Sequence, residues 1–272
     1  MPLIDPILLK SRLAALAGRF DVDALVACDS TSSEVARRAE SGAPAGTVIV
    51  ADGQTAGRGR RGRHWSSVPA ASLTFSLLWR FSGSPARLAG LSLAVGVALA
   101  RALESLGAAG VCLKWPNDVL LRQGDDYAKL AGILIELSAD RRGTQVIIGI
   151  GLNLAPPAAD LAQAAAGLNQ ALSGEIDRHQ VLAAILSALA GELDTFAERG
   201  FAGSKAEWLR RQAWPEQPVQ VLGEGGAALG GRCLGVDDEG ALLLETASGM
   251  QRIFSGDVSL RRAASALGVR PA

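Results

Sequence analysis

The sequence predicts an α+β fold: a mixed or antiparallel sheet flanked by helices, followed by a small C-terminal β-barrel. From Val111 to Ile150, four strand-like runs follow one another with only Gly, Asp and Pro punctuation between them, the pattern of hairpin-connected strands. Helical stretches lie before and after this block, which makes the larger unit α+β. Beyond "WPEQP" (Trp214 to Pro218) the chain turns to short strands and glycine, consistent with an antiparallel barrel of about 45 residues. The division expected is therefore residues 1–214 for the larger domain and 217–262 for the barrel.

Each element has a local reason. Asp5-Pro6 starts a helix, because proline is tolerated at the first helical position, and Gly18 stops it. Ala24–Cys28 reads as a strand, and "TSSE" (Thr31 to Glu34) as a capping box opening a helix that ends near Gly42. Strands follow at Thr47–Ala51 and Leu73–Trp79, and a buried helix covers Pro85–Leu106, ended by Gly107. The strands of the middle block are Val111–Lys114, Val119–Leu121, Leu130–Leu137 and Gln145–Ile150, with a hairpin turn at Arg141–Gly143. Two helices come next, near Asp160–Leu172 and at Arg178–Arg199. The final strands include "VQVLG", "GALLLET" and "VSLR", and Ala263–Ala272 read as a frayed end.

Composition narrows the function classes. Hydrophobic residues make up 49% of the 272, enough for a sizeable core and against disorder. Lys+Arg and Asp+Glu balance at 27 each, which argues against bulk attraction to nucleic acid and directs attention to local clusters. Cys28, Cys112 and Cys233 are far apart and odd in number, as expected of buried thiols in a reducing compartment. The amino terminus has no basic n-region, and the longest apolar run, Leu88–Ala100, is too short to span a bilayer. The protein reads as cytoplasmic, with no membrane partner.

The densest signal is "GQTAGRGRRGRHW" (Gly53 to Trp65), which sets Arg58, Arg60, Arg61 and Arg63 among Gly57, Gly59 and Gly62. Glycine admits close backbone approach, and arginine matches carboxylate and phosphate oxygens. No Asp or Glu lies between Asp52 and Glu104, so the positive charge stands alone. The glycines satisfy GxGxxG, but no helix can start at Gly62 and no ribose-binding acid follows, which sets the dinucleotide fold aside. A P-loop lacks its GxxxxGK[ST], and the kinase segments are missing. A solvated basic loop and a minor-groove reader remain as readings of the loop in isolation.

Companion segments follow. "KWPNDV" (Lys114 to Val119) places Asn117 and Asp118 at a turn, and "AKLAGILIE" (Ala128 to Glu136) sets Lys129 at the mouth of an apolar strand with Gly132 leaving space on one face. "IGIGLN" ends another strand with Gly149, Gly151 and Asn153. Together and in this order, with "DSTSS" (Asp29 to Ser33), these segments resemble the biotin protein ligases over nearly the whole chain, Ser30 to Arg261.

The resemblance implies a class II synthetase-like catalytic domain that makes biotinyl-5′-AMP from biotin and ATP with Mg²⁺. It implies transfer of biotin to a lysine of the biotin carboxyl carrier protein of acetyl-CoA carboxylase. Matched by motif, Ser30, Thr31, Ser32, Gln54 and Gly57 would line the biotin ring end, with Gly132 and Gly149 in the same pocket. Arg58, Gly59 and Arg60 would cover the biotin chain and the adenylate phosphate, and Lys129 would bind the biotin carboxyl oxygen and the α-phosphate. Trp65 would pack against adenine, with Arg60, Arg63, Lys114, Asn117 and Asn153 serving the nucleotide. Lys129, Arg60 and Asp118 would be the catalytic groups, Asp118 either holding Mg²⁺ or orienting the incoming lysine.

Fewer than 30 residues precede Ser30, so the winged helix of the repressor members is not expected and neither is DNA binding. Whether the chain forms a homodimer is left open. Two alternatives remain: a lipoate–protein ligase, and a nucleic-acid-binding module built on the arginine loop.

Overall fold

The computed structural model describes residues 1–157, 164–223, 228–254 and 259–262. Helix α1 (Pro6–Leu13) is capped by Asp5, whose side chain accepts from the N–H groups of Ile7 and Leu8. It ends short of Gly18 because Ala14 takes a positive φ of 49°, and a 3₁₀ stretch, Ala14–Arg19, leads into β1 (Asp21–Cys28). Then come α2 (Thr31–Glu40), β2 (Thr47–Gln54), β3 (Ser72–Phe81) and α3 (Leu91–Ser105). The middle block is β4 (Val111–Lys114), β5 (Asp118–Gln123), β6 (Asp126–Asp140) and β7 (Gly143–Asn153), joined by tight connections. Helices α4 (Arg178–Arg199) and α5 (Lys205–Arg210) complete the larger part.

These strands form one seven-stranded sheet in the order β1-β2-β3-β7-β6-β5-β4, parallel only between β1 and β2. The antiparallel step from β2 to β3 rules out a dinucleotide fold on topology. One face carries the main core with α3 and α4. On the other face α2 covers only part of the sheet, through Val35 packed with Ile49, Leu78 and Ile147. Period-two alternation puts Ala51, Thr74, Ser76, Gly149, Gly151 and Gly132 on that same face, as cross-strand neighbours. Beyond the end of α2, then, the sheet is floored by small side chains or none. That floor is where a ligand can lie.

The outer edge of β4 is closed by the connection to the last domain: Leu113 N–H donates to Arg211 O at 2.7 Å, and Ala213 N–H to Leu113 O at 2.8 Å. The C-terminal strands are β8 (Pro218–Leu222), β9 (Ala228–Val236), β10 (Leu242–Thr246), β11 (Gly249–Ile253) and β12 (Ser259–Arg262). They form an antiparallel sheet in the order β11-β10-β9-β8-β12. Among the described residues β11 and β12 each pair with one neighbour only, so the expected barrel is seen as an open sheet. This sheet is tied to the first through the buried Trp115, whose Nε1–H donates to Gly240 O at 3.0 Å.

Three local expectations change. The helix expected from Pro85 begins at Leu91. Pro85–Leu88 is a separate 3₁₀ turn, because Gly90 adopts φ 77° against Phe201, a contact that leaves no room for a Cβ. The capping box at Thr31–Glu34 does not form. Ser30 is the N-cap without a side-chain bond, Thr31 turns its hydroxyl toward Gln54, and Glu34 pairs with Arg37 and Arg38. Residues 160–163 of the helix expected near Asp160–Leu172 lie outside the described residues. The remainder runs extended beside Lys129 and ends in a 3₁₀ turn, Leu168–Gln170, because its backbone bonds go to β6. The residues expected to fray, 263–272, also lie outside the described set.

Candidate active site

A cavity of about 500 Å³ opens over the small-residue floor. Of the residues given a role by motif, Gly57, Lys114 and Asp118 do not line it, and all the others do.

One end of the cavity is neutral and rich in hydroxyls. The turn from β1 into α2 buries Ser30, Thr31 and Ser32. Gln54, last residue of β2, accepts from Thr31 N–H at 2.7 Å and Thr31 Oγ1 at 3.2 Å. Ser76 Oγ lies 2.8 Å from Thr31 Oγ1 and 3.0 Å from Ser32 Oγ, fully buried between them. Gly149 is required here, since a Cβ would stand 2.7 Å from Ser32 Oγ. Hydroxyls of the kind that cap helices are here committed to one another and to the cavity.

The other end is charged. Asp118, paired across from Gly132 in β5, is held between two ammonium groups: Lys129 Nζ at 2.6 Å from Oδ1 and Lys114 Nζ at 2.8 Å from Oδ2. Burial pushes the Asp118 carboxyl up, but Lys129 and Lys114 outweigh it and hold it at about 2. Burial drives the Lys114 ammonium down, against the pull of Asp118. With both oxygens engaged by lysines, Asp118 does not fit the metal role expected of it, and no cluster of three or more His, Cys, Asp or Glu among the described residues could hold a metal ion. Lys129 alone of the three faces the cavity.

The arginine loop folds over this floor. Trp65 N–H donates to Gly57 O at 2.9 Å and Gly59 N–H to Arg63 O at 2.7 Å, around a 3₁₀ turn at Arg60–Gly62. A Cβ at Gly57 would collide with Trp65 O, so glycine is needed for the fold of the loop. Arg60 reaches Asn117 Oδ1 at 3.3 Å, while Asn117 Nδ2 donates to Ile133 O at 2.8 Å. Arg58 departs from its expected role, because its guanidinium pairs with Glu136 at 2.8 Å and its side chain is 42% exposed. Trp65 lays its indole over Gly151 and Gly132, with Lys129 Nζ 5.6 Å from the ring centroid. Asn153 is a structural clamp: its Nδ2 donates to Ala166 O at 3.1 Å and Lys129 O at 3.3 Å, fixing the segment that walls the cavity.

Ser76 escaped sequence reasoning, and Gly151, named within "IGIGLN", was given no site role. Gly151 carries a signal, standing two residues from Gly149 on one strand and so on the same face. Ser76 carries only a faint one, a small polar residue in an otherwise apolar strand. The assembled site suits an elongated acid: hydroxyls and an amide for a neutral polar head, a smooth floor for a chain, and a cationic end for an anion.

Comparison with known proteins agrees with that chemistry. Residues 26–153 match the biotin/lipoate A/B protein ligase family, and residues 216–261 the biotin protein ligase C-terminal domain. The chain is 37% identical over 245 residues to the biotin–[acetyl-CoA-carboxylase] ligase of Paracoccus denitrificans, covering 86% of this chain and 98% of that protein. It is 35% identical over 227 residues to the bifunctional ligase/repressor of Escherichia coli, covering 80% of this chain and 67% of that protein. In structure it is similar to the biotin protein ligase from Aquifex aeolicus in complex with biotin and ATP, with a TM-score of 0.76 and 33% identity over 89% of this chain and 99% of that one.

Proposed function

Since the chain belongs to the biotin protein ligases of the biotin/lipoate A/B protein ligase family, we propose that it activates biotin as biotinyl-5′-AMP and hands the biotin to one lysine of an acetyl-CoA carboxylase carrier domain. It is an ATP-dependent biotin ligase. The observation that carries the residue assignment is the polarity of the cavity: Gln54, Thr31 and Ser32, backed by the buried Ser76, at one end, Lys129 at the other, and a glycine floor between them.

In the first step the biotin carboxylate attacks the α-phosphorus of ATP, and the bond to pyrophosphate breaks. Two anions must meet, and Lys129, Arg60 and Arg63 offset their repulsion. The carboxylate is itself the nucleophile, so the chain needs no Ser-His-Asp arrangement, and catalysis is positioning plus electrostatics. In the second step the acceptor ε-amine attacks the acyl carbon, AMP departs and the amine gives up a proton. Asp118 keeps Lys129 aimed into the cavity in both steps. Mg²⁺ enters this proposal only as the companion of the ATP phosphates, which supply oxygen ligands that the protein does not.

A reducing, cytoplasmic setting is part of the same reading, with Cys112 and Cys233 buried and Cys28 half-buried. The test is to incubate the protein with biotin, MgATP and a carrier domain and to weigh the carrier. One added biotin is expected. No gain with biotin, or an equal gain with lipoic acid, would refute the assignment.

A further inference from the structure

We propose that Trp65 is a plug in the acyl-chain groove, which must swing out before the acid can bind. This rests on the biotin ligase reading. Both groups that would anchor the ends of the acid lie at floor level: Ser32 Oγ is 2.7 Å from the Cβ position of Gly149, and Lys129 Nζ 3.3 Å from that of Gly132. Gly149 and Gly151 are one two-residue step apart along β7, about 6.7 Å, and Gly151 pairs across with Gly132. The direct line between the anchors is a diagonal with Gly151 on one side and Leu134 on the other, and since Leu134 carries a side chain, an acyl chain at floor level lies over Gly151.

That position is taken. The Trp65 ring rests directly on Gly151, with Nε1 2.6 Å from where a Cβ would be and Cζ3 3.2 Å from the Cβ position of Gly132. No methylene fits between indole and sheet.

A second observation shows that this seat suits the indole poorly. Trp65 Nε1 is buried against the floor without a hydrogen-bond partner; among the described residues only Trp214 shares that condition. A stranded donor makes this seat costlier than one where the N–H meets water or an acceptor, and the indole loses that penalty when it leaves. The geometry gives Trp65 two seats, the floor when the groove is empty and a place above the ligand when it is filled.

The experiment measures biotin binding to the full chain without ATP, by calorimetry for affinity and by rapid filtration with radiolabelled biotin for rate. Removing a competing side chain raises the fraction of binding-competent protein, so Trp65→Ala should bind biotin roughly tenfold tighter and proportionally faster. Trp65→Phe, which keeps a ring but strands no donor, should fall between. In ¹⁵N-tryptophan-labelled wild type, the indole N–H peak that Trp65→Phe removes should shift on adding biotin, a readout independent of any loss of stability in the alanine variant. Weaker or slower binding by Trp65→Ala, or an unmoved peak, would overturn the plug and make the indole a fixed floor. Wild type that binds no biotin at all would overturn the ligase reading itself.

Discussion

Replacing Lys129 with Ala should abolish most adenylate formation while leaving the fold in place. The Lys114–Asp118–Lys129 cluster carries two positive charges and one negative, and only Lys129 faces the cavity. Without Lys129, Asp118 keeps Lys114 at 2.8 Å, so no buried charge is stranded, but the single positive charge offered to the ligand becomes none. Two unit charges about 4 Å apart interact by roughly 4 kcal/mol at an effective dielectric of 20. Losing an attraction of that size from the transition state slows the step about a thousandfold. The assay is biotin-dependent exchange of labelled pyrophosphate into ATP, with circular dichroism confirming the fold. An exchange rate within about tenfold of wild type would refute the reasoning, because the cationic end would then not be Lys129.

Three further outcomes are expected. Gly149→Ala drives a Cβ against Ser32 Oγ at 2.7 Å and disturbs the bond to Ser76; calorimetry should show biotin affinity about 10- to 100-fold weaker, with KM for ATP unchanged. Arg60→Gly loses the 3.3 Å contact with Asn117 that ties the loop down. It should release adenylate prematurely, and mass spectrometry should find biotin on lysines of an unrelated bystander protein. Asp118 titrates at about 2 in the folded protein against an ordinary 3.8, so the stability it contributes is complete above the unfolded value and disappears as pH falls toward 2. That contribution is roughly 2 kcal/mol, and denaturant midpoints between pH 6 and 3 should fall less steeply in Asp118→Asn than in wild type.

What could be read from the residues was whatever depends on near neighbours. The strands from Thr47 to Ile150 announced themselves through apolar runs between turn residues, and each appears in the seven-stranded sheet, all but Val111–Lys114 lengthened at their ends. Most of the motif residues gather around one cavity, because each motif sits at a strand end or a turn, where local chemistry already dictates the bend. The chemistry of the loop was equally plain, since arginine and glycine at that density serve few other ends.

Folding settled the matters that depend on who stands opposite whom. Packing of α2 on the sheet puts Ser76 beside Thr31 and Ser32, and cross-strand register puts Gly151 across from Gly132 under an indole. It turned "TSSE" from a helix cap into part of a binding site, because Gln54 competes for the Thr31 hydroxyl across 23 residues. It also changed Asp118 from a candidate metal ligand into the anion that aims Lys129, and drew Arg58 outward to Glu136, 78 residues away. A hydroxyl, carboxylate or guanidinium takes the partner that packing brings within about 3 Å, and a linear string of residues does not specify that distance.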